Sequence, residues 1–321
     1  MAEILYVVIP CYNEEAVLPI TSKAIQEKIS GLINSGRIDP NSRVMFVDDG
    51  SKDRTWELIE KLSGENPIFT GIKLSRNRGH QNALLAGLMT AKDRADIVIS
   101  MDADLQDDIG AVDRFLDKRD EGCDIVYGVR SSRKTDTKFK KWTAQAYYKI
   151  LGKMGVEITY NHADYRLMSR RALEALSEFK EVNLFLRGLV HLVGFKSAEV
   201  EYERSKRAAG ESKYPLKKML AFAFEGITSL SVKPIRFITF LGIALFGISI
   251  LMLVYFLATY LMGRTVQGWA TIVISIWAIG GLQLLAIGVI GEYIGKIYLE
   301  TKSRPKFIIE KDLEKEEQDK N

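Results

Sequence analysis

Two stretches of the chain carry no charge at all, Phe237–Gly263 and Thr265–Gly291, 27 residues each with Arg264 alone between them. As a helix, at about 1.5 Å per residue, each would extend roughly 40 Å, more than the roughly 30 Å hydrocarbon layer of a bilayer. The pattern predicts a transmembrane hairpin with spans at about 237–262 and 270–291, joined by MGRTVQGW. The plainer alternative is two buried helices of a soluble protein, but those rarely run so long without a polar face. Eight basic and two acidic residues lie between Arg204 and Arg236, and Lys296, Lys302, Arg304 and Lys306 follow the second span. The excess of positive charge places both ends of the hairpin, and both termini, in the cytoplasm. Trp269, Tyr255 and Tyr260 suit the far interface. The last stretch, EKDLEKEEQDKN, is expected to be a charged, solvated and frayed tail.

The first 230 or so residues are of a different kind. ILYVVI (4–9), RVMFVD (43–48), IFTGIKL (68–74), DIVISM (96–101) and DIVYGV (124–129) are short apolar runs rich in β-branched residues. Helical patterns such as 14–33, 53–62 and 81–91 separate them. Continuous apolar strands alternating with helices predict an α/β, Rossmann-like domain with a mainly parallel sheet covered on both faces. In such sheets ligands sit at the carboxyl ends of the strands. The expected division is a cytoplasmic domain over 1–214, a juxtamembrane amphipathic helix over 215–233, the hairpin over 234–298 and a cytoplasmic tail over 299–321. A chain of 321 residues with a net charge of +4 has room for a sizeable core and too little charge to bind nucleic acid by charge alone. Cys11 and Cys123 cannot make a disulfide scaffold, and the start MAEILYVVIPCYNEE lacks the long apolar run of a secretory signal.

Two acidic clusters follow expected strands, Asp48-Asp49-Gly50-Ser51-Lys52-Asp53 and Asp102-Ala103-Asp104-Leu105-Gln106-Asp107. In an Asp-x-Asp turn leaving a strand, both carboxylates can converge on one side, and their repulsion calls for a cation. Hard oxygen ligands suit Mg²⁺ or Mn²⁺ and leave coordination positions for phosphate oxygens. A diphosphate leaving group needs such help, because charge builds on it as its bond breaks. Asp53 is better explained as the cap of the helix TWELIEKL. No GxxxxGK[ST] or GxGxxG loop is present, which removes support for Walker-type hydrolysis and dinucleotide redox chemistry. His80, at a helix start, and His191, in an apolar helix, are expected to be structural, and Cys11 to be packed near the first strand.

The order of Pro10-x-Tyr12-Asn13-Glu14-Glu15, Asp48-Asp49-Gly50-Ser51-x-Asp53-x-Thr55, Arg76-Asn77-x-Gly79 and Asp102-Ala103-Asp104-Leu105-Gln106-Asp107 resembles family-2 glycosyltransferases of the GT-A fold. Later come Tyr127-Gly128-x-Arg130, Asp164-Tyr165-Arg166-Leu167 and Arg204-x-x-Arg207-x-x-Gly210-x-Ser212-Lys213-Tyr214. With the C-terminal hairpin, the set is similar to the bacterial polyprenyl-phosphate glycosyltransferases, relatives of dolichol-phosphate mannose synthase. The resemblance implies that Pro10, Tyr12, Glu14, Asp49 and Ser51 serve the nucleotide. It also implies that Asp102 binds on the nucleotide side and, with Asp104 and Gln106, at a divalent metal, Mg²⁺ or Mn²⁺. Arg130 and Arg133 would meet the acceptor phosphate, and Asp164 is offered as a catalytic base.

Arg130 begins a run of six basic residues ending at Lys141; most of it reads as a solvated face drawn to anionic lipid. A guanidinium such as that of Arg130 can grip phosphate oxygens with two prongs, as lysine cannot. In YERSKRAAGESKYP, Arg207, Ser212 and Lys213 can converge on a diphosphate, with a polar linker as the plain alternative. PLKKMLAFAFEGITSLSV has apolar residues at helical spacing and reads as a helix lying on the cytoplasmic face, or packing on the domain. The expected reaction is inverting transfer of a hexose from a nucleotide sugar, UDP-glucose first, to undecaprenyl phosphate. UDP-N-acetylglucosamine and GDP-mannose are alternative donors, and a non-catalytic sugar-nucleotide sensor is the alternative of another class. The acceptor phosphate has a second pKa of about 6, so it is largely ionised at neutral pH and needs no strong base. Asp164 is therefore expected to act partly by orientation, or else to form a salt bridge with Arg166. Glycines such as Gly291-x-x-x-Gly295 leave a homo-oligomer as an expectation.

Overall fold

The computed structural model describes residues 2–130, 162–182, 185–203, 233–262 and 268–318. The five apolar runs form strands at the expected places: β1 (Leu5–Cys11), β2 (Arg43–Asp48), β3 (Phe69–Leu74), β4 (Ile97–Ser100) and β5 (Ile125–Arg130). Between them lie α1 (Leu18–Asn34), α2 (Thr55–Glu65), α3 (His80–Lys92) and α4 (Ala111–Asp120). There follow β6 (His162–Ser169), α5 (Arg170–Ser177), α6 (Leu186–Leu192), β7 (Ser197–Tyr202), α7 (Lys233–Leu261), α8 (Trp269–Lys302), β8 (Ile309–Asp312) and α9 (Leu313–Gln318).

These strands form one sheet in the order β7-β5-β6-β4-β1-β2-β3-β8. Strands β4, β1, β2 and β3 run parallel, as do β5 and β7. Strand β6 is antiparallel to both β4 and β5, and β8 is antiparallel to β3. The result is the expected mainly parallel α/β sheet. All of β1 is buried, and its side chains alternate between two cores. Val7 and Ile9 pack with Ile25, Ile29, Phe46 and Phe115 under α1, α2 and α4. Tyr6 and Val8 pack with Val47, Leu84, Leu88, Leu173 and Leu189 under α3, α5 and α6. Helix α3 lies very close to the sheet at Gly87, where an added Cβ would overlap the Val8 side chain and stand 2.7 Å from Val47.

Strand β6 was not among the expected strands, because Asp164 and Arg166 interrupt any apolar run. The fold buries both, Arg166 completely, and pairs them with each other. Helices α7 and α8, of 29 and 34 residues, contain windows at Pro234–Met252 and Ile279–Lys302 with mean hydropathy 2.2 and 1.4. Neither window is buried at all, so these two helices, long and apolar enough to cross a membrane, are not core helices of a soluble domain. The expected helix over 215–233 lies outside the described residues except for Lys233, which begins α7.

The expectation of a solvated, frayed tail is corrected over residues 309–318. Strand β8 pairs with the edge of β3, with Ile72 opposite Asp312 and Lys73 opposite Lys311. The like charges at that second pair are relieved, since Lys73 Nζ lies 3.5 Å from Glu310 and Lys311 Nζ lies 2.9 Å from Glu60. Arg94, two residues past α3, forms ion pairs with Asp312 and Glu314, and the Tyr6 hydroxyl donates to Glu314 at 2.9 Å. Closer to the hairpin, Glu300 of α8 accepts the Val182 N–H at 2.8 Å, and Lys306 donates to the Phe179 carbonyl at 3.2 Å. The charges of the tail are therefore partners for the domain, and the second apolar helix is tied directly to it.

Candidate active site

The loops that follow β1, β2, β3 and β4 are stitched together by side chains the sequence marks as polar. On the backbone, the Cys11 carbonyl accepts the Asp49 N–H toward β2 and the Val8 carbonyl accepts the Met101 N–H toward β4. Backbone alternation then turns Pro10 toward the β4 side, beyond the last β1–β4 pair at Val8 and Ser100, where its missing donor removes no ladder bond. Beyond Pro10, Tyr12 is exposed and Asn13 has φ of 54°. The Asn13 N–H donates to Ser51 Oγ at 3.0 Å, while Asn13 Oδ1 accepts the Lys52 N–H at 2.8 Å. The Glu14 N–H donates to Thr55 Oγ1. Asp53 sits one residue before the helix cap position, accepting the Thr55 N–H and hydroxyl and the Glu15 N–H, so it braces the start of α2 from just outside.

Asp49 is buried, and its two carboxylate oxygens accept the N–H groups of Arg78 and Gly79 at 2.7 and 2.9 Å. Burial pushes its carboxyl up against the pull of those two donors. The turn works only with glycine at position 50, where φ is 66° and a Cβ would stand 2.6 Å from the Asn77 nitrogen. Of the expected nucleotide residues, Pro10 and Asp49 thus lie beneath the surface, Ser51 and Glu14 are half-buried at the loop junction, and Tyr12 stands out of it.

After β4, the Asp102–Asp107 turn is anchored by Thr21 of α1, whose hydroxyl donates to the Ala103 carbonyl at 2.6 Å. Leu105 takes φ of 53°, unusual for a side chain of that size, and the Gln106 N–H donates to Asp104 Oδ1 at 3.2 Å. Asp102, Asp104 and Gln106 are half-buried, whereas Asp107 is buried. Asp107 Oδ1 accepts the Tyr202 hydroxyl and lies 3.6 Å from Arg130, and its Oδ2 has no partner among the described residues. Burial first, and then the charge of Asp102 with a further contribution from Asp104, raises the Asp107 carboxyl to about 6. The turn is therefore short of positive charge, which fits a divalent cation. Among the described residues no three His, Cys, Asp or Glu side chains are grouped to hold a metal unaided, so Asp102 and Asp104 would form part of a coordination shell.

Asp164, on β6, is buried beside this turn. Arg166 Nη2 donates to its Oδ1, and Arg187, the second residue of α6, donates from Nε at 3.2 and 3.3 Å and from Nη2 at 2.9 Å. His80, the first residue of α3, places Nε2 3.5 Å from Asp102 and 3.6 Å from Asp164. Burial alone would raise the Asp164 carboxyl; the Arg187 charge, His80 and Arg166 hold it well below the ordinary carboxylate range. The salt bridge to Arg166 is thus present, and a carboxylate so firmly ionised is a weak base. Burial lowers the Arg166 guanidinium itself, and its Nε and Nη1 have no partner among the described residues. Arg130 stands at the end of β5, with Nε donating to the Tyr202 hydroxyl at 3.3 Å.

His80, expected to be structural, stands between the carboxylates of Asp102 and Asp164. Arg187 and Tyr202 carried no signal as single residues; the adjacency of β4, β5, β6 and β7 brings them to Asp164 and Asp107. His191 does stack on Tyr127, with ring centroids 4.7 Å apart, and Cys11 is buried with its thiol pushed well up by that burial. Arg133, Arg207, Ser212 and Lys213 lie outside the described residues.

Residues 6–177, more than half of the chain, match Glycosyl transferase family 2. The chain belongs to that family. It is 56% identical over 314 residues to the uncharacterized glycosyltransferase YkoT of Bacillus subtilis (strain 168), covering 98% of this chain and 93% of that protein. It is 40% identical over 305 residues to the bactoprenol glucosyl transferase of Shigella phage SfX, covering 94% and 97%. The prophage bactoprenol glucosyl transferase homolog of Escherichia coli (strain K12) is 38% identical over 306 residues, covering 95% and 97%. As a family-2 glycosyltransferase the chain is an enzyme, and the side chains gathered at the carboxyl ends of β4 and β5 and the amino end of β6 form its candidate active site.

Proposed function

We propose that the enzyme transfers a hexose, glucose from UDP-glucose in the first instance, to a polyprenyl phosphate such as undecaprenyl phosphate at the cytoplasmic face of a membrane. The observation that carries this is the junction between membrane helix and cleft. Glu300 of α8 binds the Val182 backbone, five residues before Arg187, whose guanidinium holds Asp164. An anchored acceptor is thereby brought to the carboxylates that serve a water-soluble donor. The names of the curated relatives support bactoprenol and glucose as acceptor and sugar.

In this account Tyr12 and Glu14 meet the nucleotide, while Asp49 and Ser51 fix the loops that carry them. The nucleophile is a phosphate oxygen of the lipid, which attacks the anomeric carbon from the face opposite the leaving nucleoside diphosphate, inverting the configuration. Because that phosphate has a second pKa of about 6, no proton must be removed at neutral pH. Asp164 would be unable to remove one, being held ionised far below that value. Its role is to orient the acceptor side through Arg187 and Arg166, with Arg130 gripping the phosphate in two-pronged fashion. A divalent cation, Mg²⁺ or Mn²⁺, held by Asp102 and Asp104 with Gln106, would neutralise the charge that develops on the departing diphosphate.

Both ends of the hairpin face the cytoplasm in this arrangement, because the domain and β8 are joined on one side of it. The test is a donor screen with the full chain, short polyprenyl phosphate and labelled UDP-glucose, UDP-N-acetylglucosamine or GDP-mannose, followed by mass analysis of the lipid. A hexosyl-phosphoryl-lipid from UDP-glucose supports the proposal. An N-acetylhexosamine or mannose product replaces the donor, and binding without turnover favours a sensor.

A further inference from the structure

We propose that His80 is a positioning residue that fixes the donor-side carboxylate of Asp102 and the acceptor-side carboxylate of Asp164 relative to each other; this rests on the transfer reaction proposed above. In the antiparallel register of β4 and β6, Ile99 faces Leu167 and Ser100 faces Arg166. Asp102 follows that last pair by two residues and Asp164 precedes it by two. Two carboxylates brought close to one another repel. Arg166 and Arg187 answer the charge of Asp164 from its own side. His80 reaches both acids, with one imidazole nitrogen 3.5 Å from Asp102 Oδ1 and 3.6 Å from Asp164 Oδ2.

The backbone holds this imidazole from both directions. Before it, the N–H groups of Arg78 and Gly79 are gripped by Asp49, the buried acid of the nucleotide-side loop. After it, Gln81 Oε1 accepts the Leu186 N–H at 2.8 Å, fixing the start of the helix that carries Arg187. The first turn of α3 therefore touches the donor loop, both carboxylates and the helix behind the acceptor. His80 is partly open to the cleft, with 44% of its side chain exposed, so core packing does not account for its place. Removing it frees Asp102 to swing away from Asp164, which stays held by Arg166 and Arg187, and so alters the distance between donor and acceptor rather than the affinity of either.

The test compares full-length wild type, His80→Ala and His80→Gln, the last keeping a nitrogen donor on a chain of similar reach. His80→Ala is expected to lower kcat by about tenfold or more, as misplacement of reacting groups does, with donor KM within about threefold. His80→Gln is expected to recover most of the loss. An unchanged kcat in His80→Ala, or an equal loss in both variants, overturns the proposal. A second readout needs no turnover. His80→Ala is expected to lower the melting temperature by about 1–3 °C in wild type and by less than half of that when Asp102 is already Asn. Equal shifts in the two backgrounds overturn the proposal. Should wild type make no glycolipid with any donor, the proposed reaction falls, while the melting cycle still decides the role of His80.

Discussion

Replacing Arg94 by Ala tests whether the C-terminal segment is a built part of the catalytic domain. Arg94 is 15% exposed, and its partners Asp312 and Glu314 are 9% and 21% exposed. Truncation would leave two largely buried carboxylates without their cation. Fully buried pairs lose about 3–5 kcal/mol when one partner is removed, and exposed pairs at most about 1 kcal/mol. Asp312 keeps the Lys315 N–H and Glu314 keeps the Tyr6 hydroxyl, so the expected loss lies between these limits, at about 2–3 kcal/mol. At roughly 2–4 °C per kcal/mol for a domain of this size, the melting temperature should fall by about 4–12 °C. Thermal denaturation measures the shift, and limited proteolysis between Ser303 and Ile308 reports release of β8. Adding Asp312→Asn and Glu314→Gln to the variant should recover part of the loss, because the stranded charges are then gone. A shift below about 1 °C with the segment still protected would mean that pairing with β3 alone holds the strand and that the Arg94 ion pairs do not.

Gly87→Ala should destabilise the domain by about 1–3 kcal/mol through forced separation of α3 from β1 and β2, read as a lower denaturant midpoint. Asp124 is a pH probe remote from the cleft: burial alone would raise it, but Arg171, Ser169 and Arg119 hold it below its ordinary value. Its stabilising effect is complete above the unfolded carboxylate value of about 3.9 and is lost as pH falls through the lower folded value. Wild type should therefore lose more stability than Asp124→Asn on acidification below about pH 4, in melts run across that window. Asp164→Asn should reduce turnover by about a hundredfold or more with donor binding retained, measured by kinetics and by titration with the nucleoside diphosphate; near-normal turnover would remove Asp164 from the mechanism.

The parallel half of the sheet was legible because β1 to β5 are continuous apolar runs, a pattern that burial on both faces requires. Strand β6 was not, since Asp164 and Arg166 make it look polar until their mutual pairing is seen. The tail misled for a related reason. Lys311, Asp312 and Glu314 resemble a solvated charge run, but their partners Glu60, Arg94 and Tyr6 stand more than 200 residues away in sequence. The Asp102–Asp107 motif and Asp164 could be picked out as chemistry, whereas His80 and Arg187 acquire meaning only from strand order. His80 follows a loop whose conformation Asp49 sets, and no local pattern reveals that the loop ends between two acids.

In the proposed reaction a lipid phosphate oxygen displaces the nucleoside diphosphate beside Asp102 and Asp164. It is tested most directly by the full chain in vesicles containing polyprenyl phosphate, given a sugar-labelled donor, with nucleoside diphosphate and labelled lipid counted together. One labelled lipid is expected for each nucleoside diphosphate released, with the anomeric configuration inverted. Release of nucleoside diphosphate with the label appearing as free sugar or polymer would contradict it.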